Sequence, residues 1–140
     1  MSEALSKFRE GVGMGKVLII DDEPDITTVL QAALEMEGHQ VQTANSGMYG
    51  LVLLEEGFQP DVVLLDLNMP GMGGTVFLEE ADSRGYGRFP VIWLTGAVSG
   101  SSDMICDGRY QRVIAKPFDL IALLETVDQM LETATSQSLP

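Results

Sequence analysis

Four apolar stretches of the chain each end on a side chain that can bind a cation or a phosphoryl group. The first ends at Asp21 and Asp22, the second at Asp66, the third at Thr95 and the fourth at Lys116. Carboxylates are ligands for hard cations such as Mg²⁺, and an aspartate is also a competent nucleophile in phosphoryl transfer. A lysine and a hydroxyl could stabilise the transferred anion. These residue types therefore predict metal-assisted phosphoryl transfer, provided that the fold brings them together.

The elements that must position these residues alternate between strands and helices. The apolar runs predict strands at 16–20, 40–44, 61–66, 90–95 and 112–115. Helical spacing and stop signals predict helices at 24–37, 46–56, 73–81, 99–110 and 118–132, the fourth of them with a weak pattern. Such alternation is typical of parallel sheets with right-handed crossovers. We therefore expect an α/β fold, with a flavodoxin-like, doubly wound, five-stranded parallel sheet in the order 2-1-3-4-5 and helices on both faces.

The carboxyl ends of parallel strands lie on one edge of the sheet, and ligands bind there, where the strand order reverses. In the expected order the reversal falls between strands one and three, which carry the three aspartates. Three close carboxylates repel one another, so the cluster favours a bound cation, Mg²⁺ or Mn²⁺ as a possible substitute. The formal charges of three aspartates, one Mg²⁺ and Lys116 sum to zero, which would leave the cluster ready to receive a phosphoryl group.

Four motifs carry a resemblance to a known family. IIDDEPD, LLDLNMPGMGG, VIWLTGA and IAKPF follow one another at the strand ends. In this order and spacing they resemble the receiver domains of two-component response regulators, such as the chemotaxis regulators, over 16–132. The resemblance implies a phosphoprotein that takes a phosphoryl group from a sensor histidine kinase or a histidine phosphotransfer protein, and that does not turn over external substrates.

The resemblance also implies a role for individual residues. Asp66 would be the phosphoacceptor and would also bind the metal, with Thr95 as the switch hydroxyl and Lys116 as the cation that pairs with the phosphoryl group. The remaining metal ligands would be Asp22 directly, Asp21 through water, and the backbone carbonyl of Asn68.

One position departs from the family pattern. Where many receivers carry an aromatic residue three positions before the lysine, this chain has Val113, and Tyr110 is a poor substitute in register. The coupling of Thr95 to an aromatic side chain is therefore in question. A homodimer through the face of strands four and five stays an open expectation.

Composition limits the remaining choices. Among 140 residues the net charge is −13, which argues against direct nucleic-acid binding, and no apolar run is long enough to cross a membrane. The single cysteine, Cys106, fits a reducing compartment, so the cytoplasm is expected. We interpret 1–15 as an N-terminal leader or tag remnant, 16–132 as the receiver domain, and 133–140 as a tail or the start of a linker.

Three other functions compete with the receiver interpretation. A haloacid-dehalogenase-like phosphatase would need a second acid two residues after Asp66, where this chain has Asn68. A flavodoxin-type binding module would need a phosphate-binding loop after strand one, where IIDDEPD repels anions. A receiver that acts as a protein-interaction module without phosphorylation is the alternative that Val113 leaves open.

Three further side chains also carry expectations. We expect Val29 on the buried face of the first helix, Trp93 packed beneath a helix, and His39 on a surface loop after the Gly38 helix stop. The glycines that follow Asp66 are expected to keep side chains clear of the site.

Overall fold

The computed structural model describes residues 15–96 and 111–138, with side chains described as far as Glu132. Outside the described residues lie positions 1–14, Ala97, the helix predicted over 99–110, Cys106 and Tyr110. No helix in the described part of the chain is long and apolar enough to cross a bilayer.

Five strands and four helices occur in the described residues. The strands are β1 (Lys16–Ile20), β2 (Gln40–Ala44), β3 (Val62–Asp66), β4 (Val91–Thr95) and β5 (Gln111–Ala115). The helices are α1 (Pro24–Met36), α2 (Gly47–Glu55), α3 (Gly74–Ser83) and α4 (Leu120–Ser138). All neighbouring strands pair in parallel in the order β2-β1-β3-β4-β5, which confirms the predicted sheet.

The sheet has a separate apolar cluster on each face. From β1, Leu18 and Ile20 pack with α2 and α3, whereas Val17 and Ile19 pack with α1 and α4. All five residues of β3 are buried, because this central strand has helices above and below it. A strand covered on both faces has a continuous apolar sequence, and the apolar run of β3 therefore predicts a buried strand.

Local signals place most of the helix ends where the sequence predicts them. The Ser46 hydroxyl accepts a hydrogen bond from the Tyr49 N–H at 3.1 Å and caps α2, and Gly38 and Gly57 follow α1 and α2 with positive φ angles of 96° and 109°. The last helix differs from the prediction, because α4 runs to Ser138 and includes most of the segment that was expected to be a tail.

The buried face of α1 is narrower than the sequence suggests. Leu30 and Leu34 are fully buried, but Val29 is 51% exposed, so the prediction for Val29 is wrong. Adjacent helical positions are separated by about 100°. Because α1 turns the strip of Leu30 and Leu34 towards the sheet and α4, the neighbouring Val29 points towards solvent.

His39 lies in the interior, so its predicted place on the surface is also wrong. The side chain is 1% exposed, and its Nδ1 accepts a hydrogen bond from the Gly15 N–H at 3.2 Å. Its Nε2 lies 3.5 Å from Oδ1 of Asp128 on α4. Because Nδ1 is the acceptor, the proton of a neutral ring is on Nε2, facing the carboxylate. His39 therefore links the start of β1 with α4.

We predict that His39→Ala lowers the free energy of unfolding by about 1–3 kcal/mol, because the buried Gly15 N–H loses its acceptor. Urea denaturation followed by circular dichroism measures the change. Met36→Ala is the matched control, since Met36 is 83% exposed and its replacement should change stability by less than about 0.5 kcal/mol. Equal stabilities of the two variants would contradict the structural role of His39.

Candidate functional site

The predicted site residues come together at the carboxyl edge of the sheet. Asp66 ends β3 and Thr95 ends β4, while the backbone N–H of Lys116 donates to the Thr95 carbonyl at 2.8 Å and extends the pairing of β5. An open cleft of about 470 Å³ at this edge is lined by Asp22, Glu23, Asp66, Asn68, Gly96 and Lys116. The parallel arrangement thus gathers residues that lie far apart in the sequence.

The Lys116 ammonium is the centre of the cleft's charge pattern. Its Nζ lies 2.7 Å from Asp21 Oδ2, 2.8 Å from Glu23 Oε1 and 3.4 Å from Asp66 Oδ2. An ammonium has three N–H donors, so it can serve all three carboxylates at once. Burial on its own lowers the pKa of Lys116, but its close contacts with the Asp21 and Glu23 carboxylates outweigh this effect and raise it. Lys116 is therefore charged at neutral pH.

Glu23 was not predicted as a site residue. In the sequence it follows the two aspartates directly, and an acid before a helix is readily explained by the helix dipole. The structure places it as the N-cap residue of α1, without a side-chain capping bond, and its carboxylate turns to Lys116 instead. The acidic run 21–23 pointed to Glu23 as a candidate. Its partner Lys116 is 93 residues away in the sequence, so the pairing could not be identified from spacing.

Asp21 and Asp22 have different surroundings although they are adjacent. Asp21 is fully buried; its Oδ1 accepts a hydrogen bond from the Glu23 N–H at 2.9 Å and its Oδ2 faces Lys116. Asp22 is exposed and lines the cleft. Asp21 is therefore held by the protein, whereas Asp22 is accessible to an ion that enters from solvent.

Asp66 lies in an environment that opposes its negative charge. It is 6% exposed, and burial followed by the charge of Asp21 raises its pKa, while Lys116 and a hydrogen bond from the Asn68 N–H (3.2 Å to Oδ1) act in the opposite direction. The net effect is a raised pKa. Without a further cation, the ionised carboxylate is held at a cost in free energy.

The carboxylates fit a divalent cation. Asp21, Asp22 and Asp66 each offer an oxygen, and these atoms lie within 4.8 Å of one another. A donor set of oxygens alone suits a hard cation such as Mg²⁺. Burial and then the charge of Asp21 raise the pKa of Asp66, and a cation beside it would oppose both effects. Asn68 lines the same cleft, next to these carboxylates.

Trp93 lies behind the site, beneath α3. Its side chain is fully buried, as expected, and its Nε1–H donates to Gln111 Oε1 on β5 at 2.7 Å. A Cβ atom on Gly74 would lie 2.6 Å from the Trp93 ring and 2.8 Å from the Asp66 carbonyl oxygen. Gly74 thus allows the indole to pack against β3, so this glycine makes room for the core rather than for the cleft.

Val113 lies beside Trp93 across the β4–β5 pair and is 39% exposed. Thr95, two residues beyond Trp93 on β4, is 1% exposed.

Comparison with known proteins identifies the class of this chain. The model of the response regulator receiver domain family matches residues 17–128, and the chain belongs to this family. The crystal structure of a CheY-like receiver domain protein from Methanospirillum hungatei JF-1 superposes with a TM-score of 0.77 at 28% identity, over 87% of this chain and 98% of that one. The structure of chemotaxis protein CheY4 from Vibrio cholerae, crystallized at low pH, gives a TM-score of 0.73 at 29% identity, over 84% and 98% of the two chains.

Curated relatives differ in how much of their length this chain covers. Protein PilH of Pseudomonas aeruginosa PAO1 is 34% identical over 124 residues, which span 84% of this chain and 98% of PilH. Regulatory protein AtoC of Escherichia coli K12 is 36% identical over 121 residues, which span 85% of this chain but 26% of AtoC. The chain likewise spans 54% of the CpxR homolog of Haemophilus influenzae, so it corresponds to one part of such regulators.

We predict that Asp66→Asn stabilises the metal-free protein at neutral pH. Because the folded-state pKa of Asp66 is raised, wild type gains stability as the pH falls through that pKa, and the ionised carboxylate costs stability above it. The advantage of the variant should therefore be complete above the folded-state pKa and should shrink towards pH 3.8. Thermal unfolding in EDTA, from pH 7 down towards pH 3.8, measures the difference in stability between the two proteins. Each kcal/mol corresponds to about 2–4 °C in the unfolding midpoint.

Asp25→Asn is the control for this comparison, because Asp25 is an exposed acid in the first turn of α1. Its replacement should not stabilise the protein at pH 7, because an acid in the first turn of a helix is favourable. A wild-type protein as stable as Asp66→Asn at pH 7 without metal would refute the electrostatic description of the cleft.

Proposed function

We propose that this chain is a phosphoacceptor domain in which Asp66 receives a phosphoryl group in a Mg²⁺-dependent reaction and the surface of β4 and β5 changes in response. The observation that carries the proposal is the position of Asp66 in one cleft with Asp21, Asp22 and Lys116, in a chain of the receiver family. The donor would be a phosphohistidine on a sensor histidine kinase or a histidine phosphotransfer protein, or a small acyl phosphate.

The reaction would be a displacement at phosphorus. An oxygen of the Asp66 carboxylate forms the new P–O bond, and the bond from phosphorus to the donor's nitrogen or oxygen breaks, with its electron pair leaving on the donor. Asn68 and Lys116 favour the ionised form of Asp66 through hydrogen bonds at 3.2 and 3.4 Å, which keeps the nucleophile reactive in spite of its burial. No histidine of this chain is needed for these steps.

Lys116 and Thr95 would receive the transferred group. The Lys116 ammonium already lies beside the Asp66 carboxylate and can donate to a phosphoryl oxygen, and the Thr95 hydroxyl at the end of β4 is the proposed second donor. Mg²⁺, held by Asp22 and Asp66, by the Asn68 carbonyl, and by Asp21 through water, would neutralise charge on the phosphoryl oxygens.

The output would follow from the new charge. A phosphoryl group replaces one carboxylate charge with about −2, and drawing Thr95 and Lys116 towards it would move the ends of β4 and β5. The relative RpaA of Synechocystis is named a DNA-binding transcriptional regulator, and this chain covers 49% of it. We propose that any contact with nucleic acid belongs to an attached domain, that a homodimer would use the β4–β5 face, and that the protein works in the cytoplasm.

A protein-interaction module without phosphorylation is the second candidate, and one observation favours it. Val113 stands where many receivers carry an aromatic switch residue. It lies beside Trp93 and is 39% exposed. In that case the site would persist, but the binding of a partner to the β4–β5 surface would not depend on phosphorylation.

We predict that incubation with Mg²⁺ and acetyl phosphate adds one phosphoryl group to the wild-type chain, as measured by intact-protein mass spectrometry. Asp66→Asn should abolish the addition, because the amide is not a nucleophile. Asp61→Asn is the matched control and should leave labelling within about twofold of wild type, since the Asp61 carboxylate accepts a hydrogen bond from the Lys16 N–H at the opposite edge of the sheet. Labelling that persists in Asp66→Asn would refute the assignment.

We also predict that Asp22→Asn weakens Mg²⁺ binding by about tenfold or more, because the most accessible carboxylate of the cluster is lost. Fluorescence of Trp93, the sole tryptophan, reports the titration from its position behind Asp66. Glu56→Gln removes an exposed charge after α2 and should leave the affinity unchanged. Equal affinities of Asp22→Asn and wild type would exclude Asp22 as a ligand.

A further inference from the structure

The Lys116 ammonium lies closest to two acids that follow β1. Its two shortest contacts, at 2.7 and 2.8 Å, go to Asp21 and Glu23, and the contact with Asp66 is the longest at 3.4 Å. The ammonium therefore lies nearer to the acids at the end of β1 than to the proposed nucleophile. A cation that must serve a phosphoryl group on Asp66 has to move away from at least one of these partners.

The two close partners differ in their freedom to release Lys116. Asp21 is fully buried and fixed by the Glu23 N–H, so its carboxylate cannot withdraw without disturbing the backbone after β1. The Glu23 side chain is 58% exposed and reaches Lys116 from the edge of the cleft. Among the three carboxylates, Glu23 is the one that can exchange Lys116 for solvent by a simple rotation of its side chain.

Glu23 also lies where a phosphoryl donor must enter. It lines the cleft together with Asp22, Asp66 and Lys116. A negative charge there repels an incoming phosphate and occupies one of the three N–H donors that Lys116 has to offer. Both effects act against phosphoryl transfer to Asp66.

We propose that Glu23 is a positioning residue that holds Lys116 back from Asp66 and releases it when a phosphoryl group arrives. The proposal rests on the phosphoacceptor function of Asp66. Glu23 acts through Lys116 and takes no part in making or breaking the bond to phosphorus, so its effect is on the rate of transfer rather than on its occurrence.

The test compares Glu23→Gln with wild type in the rate of phosphorylation by acetyl phosphate at saturating Mg²⁺. The exposed ion pair that is lost contributes at most about 1 kcal/mol, which converts to a rate increase of about two- to fivefold. The control is Asp25→Asn, which removes the same charge two residues away on the exposed surface of α1 and should keep the wild-type rate within about 1.5-fold.

A second measurement reads the contact itself without any reaction. The ¹H–¹⁵N NMR signal of the Lys116 ammonium should shift in Glu23→Gln and stay in place in Asp25→Asn, while both variants unfold within about 4 °C of the wild-type midpoint. A lower or unchanged rate in Glu23→Gln, or an unshifted ammonium signal, overturns the proposal. A wild-type chain that takes up no phosphoryl group refutes the phosphoacceptor function instead, and the ammonium signal still decides whether Glu23 holds Lys116.

Discussion

One positive charge shared among several negative charges is the constraint on which the carboxyl edge of this sheet depends. Lys116 contacts Asp21, Glu23 and Asp66, with the exposed carboxylate of Asp22 close by. The lysine cannot neutralise four acids, and the raised pKa of Asp66 follows from the burial of that carboxylate beside Asp21. An oxygen-lined cleft that lacks positive charge is suited to a divalent cation, and a cation beside a lysine is suited to a phosphoryl group.

The rest of the fold keeps this arrangement in place. Because β3 is buried on both faces between β1 and β4, Asp66 projects from a strand that is fixed by packing rather than from a mobile loop. The backbone bond from Lys116 to Thr95 ties the lysine to the end of β4. On the opposite edge, His39 joins the start of β1 to α4, so the strand that carries Asp21 is anchored at both ends.

The strands, and the meeting of their polar end residues at one edge of the sheet, could be predicted because the strands depend on local patterns. Apolar runs that end on polar residues locate the strands, and parallel pairing then brings Asp21, Asp66 and Lys116 to one edge. The side-chain partners could not be predicted in the same way. Glu23 and His39 owe their positions to Lys116 and Asp128, which are distant in sequence, and a glutamate before a helix or a histidine after one has an ordinary local explanation. The exposure of Val29 depends on how far α1 is rotated against the sheet, which periodicity fixes only to within one residue.

The most direct test of the account is to identify the residue that carries the phosphoryl group. After incubation with Mg²⁺ and acetyl phosphate, borohydride reduces an acyl phosphate to an alcohol, and peptide mass spectrometry then locates the altered side chain. If Asp66 is the phosphoacceptor, reduction is expected at Asp66 alone and in dependence on Mg²⁺. Reduction at another carboxylate, or the same yield in EDTA, would contradict it.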